Sequence, residues 1–345
     1  MNTITNKKAF TIQFSWIFVL FVGFLVMIFV ISSISKQEST SKSDINLEIT
    51  KNVDSILTSA EQSSNTFKKI SIPETEIIRV CEEDYSAYSI NNNIQRVDNS
   101  VFFMPKKMNG KIIYSWALHY SMPMKITNIL YLTTPKHMYI FVNNTGDNLI
   151  ENIYDDFPKN LTHEMINFVD FKNYKGRNYD SYVFILINKT NEINSLQFPS
   201  NSEIKKKGNV IVITYDGINR QKGNIKFYDY SSIWKKVGSE KFIDKSILYG
   251  AIFAGDYNGY ICNANKLLKK SKTIYTIYNY TLTKQKEQAT KFECISHYNE
   301  SLDLCQELIN LNNSDGSTLE KIYSTSIELN LKNKNLLTKG CPLIY

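Results

Sequence analysis

Between Phe10 and Ser35 the chain carries no charged residue, and from Trp16 to Ile31 only Gly23 interrupts a run of apolar side chains. A helix rises about 1.5 Å per residue, so this stretch is long enough to cross a hydrocarbon core of about 30 Å. No later segment repeats it. The expectation is one transmembrane helix that holds one body at a lipid bilayer through residues 10–35. A cleaved signal peptide has an apolar core of only about 7–15 residues, and the longer run here favours a retained signal-anchor, although Ser33-Ile34-Ser35 imitates a cleavage site. Lys7 and Lys8 precede the run, whereas Lys36 and Lys42 follow it among Glu38 and Asp44. That bias places the N-terminus in the cytoplasm and the body outside the cell membrane.

Beyond the anchor the 345-residue chain has enough length for one substantial core with an appendage. Gly (13) and Pro (7) are scarce, which argues against long flexible linkers. Asn is so frequent that the Asn-x-Ser/Thr sequons beginning at Asn143, Asn160, Asn188, Asn279, Asn299 and Asn312 follow from composition and do not by themselves indicate glycosylation. A net charge of +7 raises the question of nucleic acid. The basic residues are scattered, however, and the runs Lys205-Lys206-Lys207 and Lys266 with Lys269-Lys270 lack the interleaved aromatics of a base-stacking platform. They read as solvated faces, and no nucleic-acid partner is expected.

After the anchor, Ile45, Ile49, Val53, Ile56 and Leu57 recur at three- and four-residue steps, which predicts an amphipathic helical stalk over 36–68. From there the pattern turns to strands. Glu76 to Cys81 is one; Val101 to Met104 and Lys111 to Tyr120 read as a hairpin around Asn109-Gly110, and Ile126 to Thr133 and Met138 to Val142 extend the same sheet. Leu149, Ile150, Ile153 and Tyr154 then keep helical spacing, and Tyr182 to Ile187, Val210 to Tyr215 and Leu248 to Ala254 are near-continuous apolar runs, the mark of strands buried on both faces. The predicted fold is an α/β body over 69–259, with a mixed sheet and antiparallel entry strands. C-terminal antiparallel helices follow over 260–345, and the whole stands on a single N-terminal transmembrane helix within 1–35. The C-terminal helices break near Thr283 and near Ser314-Asp315-Gly316-Ser317.

The five cysteines, Cys81, Cys262, Cys294, Cys305 and Cys341, contain no C-x-x-C pair. Outside the cytoplasm they tend to form disulfides. Residues equidistant from a turn face each other across an antiparallel pair. Cys262 and Cys305 flank Thr283 symmetrically, and Cys294 and Cys341 flank Ser317. These are the candidate disulfides; the alternative is that the cysteines are small buried side chains. Cys81 is left over.

Catalytic constellations are thin. His119, His137, His163 and His297 lack metal-ligand spacing, and neither a G-x-S-x-G elbow nor a phosphate-binding G-x-x-x-x-G-K-[ST] loop occurs. No cofactor and no metal site are indicated. Asp147, Asp216 and Asp256 lie just past expected strand ends, where open α/β sheets bind ligands, and are the candidate catalytic residues. Asp216-Gly217 and Gly255-Asp256 are also ordinary turn dipeptides. Asp229-Tyr230-Ser231-Ser232-Ile233 approaches the D-x-S-x-S of integrin-type metal domains, with Ile233 in place of the last hydroxyl.

Four segments carry a resemblance: Phe10-Thr11-Ile12-Gln13-Phe14-Ser15-Trp16 with Ile17 to Leu20, Ser55-Ile56-Leu57-Thr58-Ser59-Ala60, Thr127-Asn128-Ile129-Leu130-Tyr131-Leu132-Thr133, and Cys341-Pro342-Leu343-Ile344-Tyr345. In these the chain resembles an uncharacterised group of single-pass membrane proteins from small-genome, DPANN-type archaea. That resemblance implies a cell-envelope setting and no particular activity. Lys7-Lys8-Ala9-Phe10-Thr11-Ile12 is similar to the start of type IV prepilins, which carry Glu at the fifth mature position where this chain has Phe14.

Two classes of function remain open. One is a non-enzymatic, membrane-anchored envelope protein with a binding, scaffolding or assembly role and a protein partner, of which a pilin-like surface subunit is a variant. The other is a membrane-tethered enzyme with a sheet-edge pocket lined by Asp147, Asp216 and Asp256. Whether those carboxylates share one cleft discriminates between them.

Overall fold

The computed structural model describes residues 18–33, 50–51, 53–55, 57–59, 62–81, 86–90, 93–97, 100–143, 148–187, 198–216, 222–311 and 316–345. The chain divides into Met1–Asn52 and a compact unit, Val53–Tyr345. In the first, residues 18–33 are a helix, α1, whose residues are all exposed. At 1.5 Å per residue this described part is about 24 Å long, and among the described residues no helix is long and apolar enough to cross a membrane. The flanks of the expected anchor, and its continuation into a stalk over 34–49, lie outside the described residues.

In the compact unit the helical residues from Val53 onward bury Val53 and Leu57 against Ile70, Ile77, Tyr88 and Ile113. This half of the amphipathic stretch is therefore packed on the body and does not hold it at a distance. The sheet beneath consists of β1 (Thr66–Cys81), β2 (Ser86–Ile90), β3 (Asn93–Val97), β4 (Val101–Phe103), β5 (Lys107–Ser121) and β6 (Lys125–Thr133), in the order β3-β2-β1-β5-β6-β4. All neighbours are antiparallel except β4 and β6. The expected hairpin at Asn109-Gly110 is absent: β5 runs straight through it, with Asn109 paired to Glu76 and Gly110 to Thr75 of β1. Gly110, at φ +140°, serves the bulge between Ser71 and Thr75 instead of a turn.

A second sheet contains β7 (His137–Asn143), β8 (His163–Asn167), β9 (Ser181–Ile187), β10 (Gly208–Tyr215), β11 (Lys222–Tyr230) and β12 (Trp234–Ile243), in the order β12-β11-β10-β9-β7-β8. Strands β8, β7, β9 and β10 are parallel, and β11 and β12 return antiparallel. Hence β7 does not extend the first sheet; the Pro135-Lys136 turn carries the chain from one sheet to the other. Strands β7, β9 and β10 are adjacent and buried, as their apolar runs require.

The connections include helices α2 (Leu149–Asp156), α3 (Phe168–Phe171), α4 (Ser202–Lys207) and α5 (Lys245–Ala254). The run Leu248–Ala254, expected as a fourth buried strand, is thus a helix. A helix surrounded on every side has no amphipathic period, so its apolar run is indistinguishable from a buried strand. The distinguishing signals sit at its ends: the Asp244 carboxylate accepts from the Ser246 N–H at 2.8 Å, and Gly255, in the left-handed region at φ +73°, terminates it. Helix α5 lies between the sheets. Its Phe253 ring is 5.1 Å from Tyr131 of the first sheet and 5.4 Å from Tyr139 of the second, and Gly250 lets it approach the Phe103 ring. The far face of the second sheet is covered by Phe171 of α3 and Ile204 of α4.

The C-terminal region is three helices, α6 (Tyr257–Gln288), α7 (Phe292–Asn310) and α8 (Gly316–Thr338). The first break falls after Gln288, not at Thr283. A turn there brings Cys305 near Tyr275, whose hydroxyl pKa is pushed up by burial and then by Tyr120 and Cys305, and not opposite Cys262. Cys262, in the second turn of α6, bonds instead to Cys81 at the end of β1, with Cα atoms 6.1 Å apart. The Cys262–Cys305 pairing is thereby corrected. Cys294 and Cys341 are bonded as expected, at a Cα separation of 5.8 Å, and Cys305 is free and buried.

Candidate functional site

In-register parallel pairing aligns the starts of β7, β9 and β10, with His137 beside Ser181 and Tyr182 beside Gly208. The link between β4 and β5, in the first sheet, crosses this edge. Between them lies a cleft of about 390 Å³, bordered by Lys106 and Lys107 from the first sheet, by Asp180 and Asn209 from the second, by Lys206 and Lys207 from α4, and by Asp256 from the α5–α6 junction.

Most charges here have partners. Lys107 pairs with Glu76, and Asp180 with Lys136 at 4.0 Å and with the Asn109 side-chain amide at 3.4 Å. Asp256 caps α6 by accepting from the Gly259 N–H at 2.8 Å, and both its oxygens accept from the Arg79 guanidinium, at 2.9 and 2.8 Å. Arg79 also donates to the Met104 carbonyl at 2.7 Å and is 6% exposed. A Cβ at residue 259 would overlap that guanidinium, so Gly259 is what lets α6 start against β1. Lys207 donates to the Tyr179 carbonyl. Lys106 and Lys206 are exposed, with no acidic side chain bonded to them among the described residues.

His137 is buried at the cleft floor. Its Nε2 lies 3.1 Å from the Lys107 carbonyl, which only accepts, so Nε2 carries the proton and Nδ1 accepts from Thr134 Oγ1 at 3.0 Å. Burial lowers its pKa from 6.5 to about 4, against the opposing pull of that carbonyl and of Asp180. Behind the cleft, Asp229 pairs with Asn209 across β10–β11, and its Oδ1 is buried with no hydrogen-bond partner among the described residues. Burial and then the Asp256 charge push its carboxyl above the usual range, while Lys106 and Lys235 pull it down.

Of the carboxylates expected from sequence, Asp216 and Asp256 do not share one pocket. Asp147 lies outside the described residues. Asp216 follows the last residue of β10, its N–H donating to the Lys222 carbonyl, whereas Asp256 lines the cleft at the other end of that strand. At about 3.3 Å per residue the two ends of β10 are some 23 Å apart. Asp256 is occupied as a cap and an ion-pair partner. Among the described residues no group of His, Cys, Asp and Glu is arranged to hold a metal ion. The cleft is not legible in the sequence because Lys205-Lys206-Lys207 reads as a solvated face; nothing local connects this helix to Lys106-Lys107, a hundred positions earlier at the start of β5. Comparison with known protein families, curated proteins and solved structures returned no match.

Proposed function

We propose that the chain is a membrane-anchored cell-envelope protein whose body, outside the cell, binds a partner and does not catalyse a reaction. The observation that carries this reading is α1, whose large apolar side chains are exposed from 41% at Val22 to 72% at Phe29. An apolar surface of that extent is unfavourable in water and favourable in lipid. The two disulfides accord with an oxidising exterior, and the resemblance to archaeal membrane proteins accords with an envelope setting. The cleft supports binding because it offers cations and an amide, while its carboxylates are engaged in structural pairs.

The test uses the full chain in cell membranes. It should stay with the bilayer through an alkaline carbonate wash, and protease added to intact cells should degrade the body. Release by carbonate, or a body protected from external protease, would overturn the anchor and its orientation.

A further inference from the structure

We propose that the cleft between the two sheets is a binding site for a phosphate-bearing ligand, held by Lys106, Lys206, Lys207 and the side-chain amide of Asn209. The inference rests on the binding half of the reading above and not on the membrane anchor. Lys107, Asp180 and Asp256 cancel against Glu76, Lys136 and Arg79. What remains at the opening is the charge of Lys106, Lys206 and Lys207, opposed by Asp229, whose carboxyl also has Lys235 as a neighbour. Lys106 comes from the β4–β5 link of the first sheet, and Lys206 and Lys207 from α4 on the second, so the fold gathers like charges that repel one another unless an anion lies between them.

A phosphate monoester carries about −1.5 to −2 charges at neutral pH and three acceptor oxygens, matching several ammonium groups acting as point charges. A cleft of about 390 Å³ is within the size range of small-molecule pockets and larger than phosphate alone needs, so the ligand extends beyond its phosphate group. His137 stays neutral at physiological pH with both ring nitrogens engaged, and so forms the floor of the cleft without adding charge. The same chemistry could be presented by a soluble phosphate ester or by a lipid headgroup.

The experiment measures binding of inorganic phosphate and of glycerol phosphate to the full chain in uncharged detergent micelles. It also measures binding to phosphatidylcholine vesicles with and without phosphatidic acid. Saturable binding is expected, weakened at least about tenfold in the K106Q/K206Q double variant. K106R/K206R should retain it, as should K159Q/K334Q, which removes the same charge from exposed sites elsewhere. Saturation by the soluble phosphates identifies a free ester as the ligand, and binding that depends only on phosphatidic acid, with the same variant pattern, identifies a headgroup. No saturable binding in either arm, or equal losses in K106Q/K206Q and K159Q/K334Q, would overturn the proposal. If the chain leaves membranes in carbonate yet binds phosphate in micelles, the anchor fails and the cleft stands.

Discussion

Arg79, Asp256 and Gly259 show how one buried cation organises its surroundings. The guanidinium ties β1 to the link after β4 and to the start of α6, and the adjacent Cys81–Cys262 bond joins the same two elements covalently. Arg79→Ala leaves a mostly buried carboxylate without its partner and should cost about 3–5 kcal/mol in denaturant melts. Gly259→Ala inserts a methyl into the guanidinium position and should cost about 1–3 kcal/mol by overpacking. If Gly259→Ala were neutral, the close approach of α6 to β1 would be wrong. His137 supplies a pH dependence at the same scale. Its folded pKa of about 4 lies below the unfolded 6.5, so the unfolded chain binds more protons between those values. Stability is therefore full above pH 6.5 and falls as pH drops toward 4, by about 3 kcal/mol in all. His137→Gln, which keeps a donor for the Lys107 carbonyl, should flatten that acid limb in melts taken across the pH range.

Among the elements, α5 and the C-terminal helices separate what local sequence reveals from what packing conceals. The apolar spacing of α2 is one-sided and was legible as a helix. The run in α5 was not, because both sheets and α6 surround it and every turn faces a neighbour. Its caps were nonetheless written in Asp244 and Gly255. Asp244→Ala should destabilise by about 0.5–2 kcal/mol through loss of the N-cap. Similarly, the three C-terminal helices follow from spacing, yet a break displaced from Thr283 to just after Gln288 was enough to assign Cys262 the wrong partner. The Cys294–Cys341 bond survived because α7 starts, and the chain after α8 ends, at one end of the helical set. There the Tyr298 hydroxyl also donates to the Pro342 carbonyl, at 2.8 Å. With a sequence separation of 47, that bond should contribute about 4 kcal/mol by restricting the unfolded chain. A C294S/C341S variant compared with the parent by denaturant melts measures it.

Across the whole molecule, one continuous core runs from the first sheet through α5 to the second sheet and on into the C-terminal helices. The boundary expected at 259/260 falls inside that core, within α6. Thiol counting checks the covalent plan. The native chain should react with no maleimide, since four cysteines are bonded and burial pushes the Cys305 thiol up to about 12. Denaturation should expose one thiol, and reduction in denaturant all five. Two or more reactive thiols in the denatured, unreduced chain would refute the pairing.

The sequence by itself determined the elements whose cause is local: the uncharged apolar stretch at the N-terminus, the two-sided burial of β7, β9 and β10, the helical spacing of the C-terminal quarter, and a cysteine content suited to bridging. Tertiary structure decided the division of the strands into two sheets, the helical state of Leu248–Ala254, the partner of Cys262, the engagement of Asp256 by Arg79 and the meeting of Lys106 with Lys206. The reason is physical. Periodicity, capping and charge runs record the environment of a residue relative to its own chain neighbours. Which distant surfaces meet depends instead on the registers and crossovers that bury the most apolar area, and no short stretch of sequence carries that information.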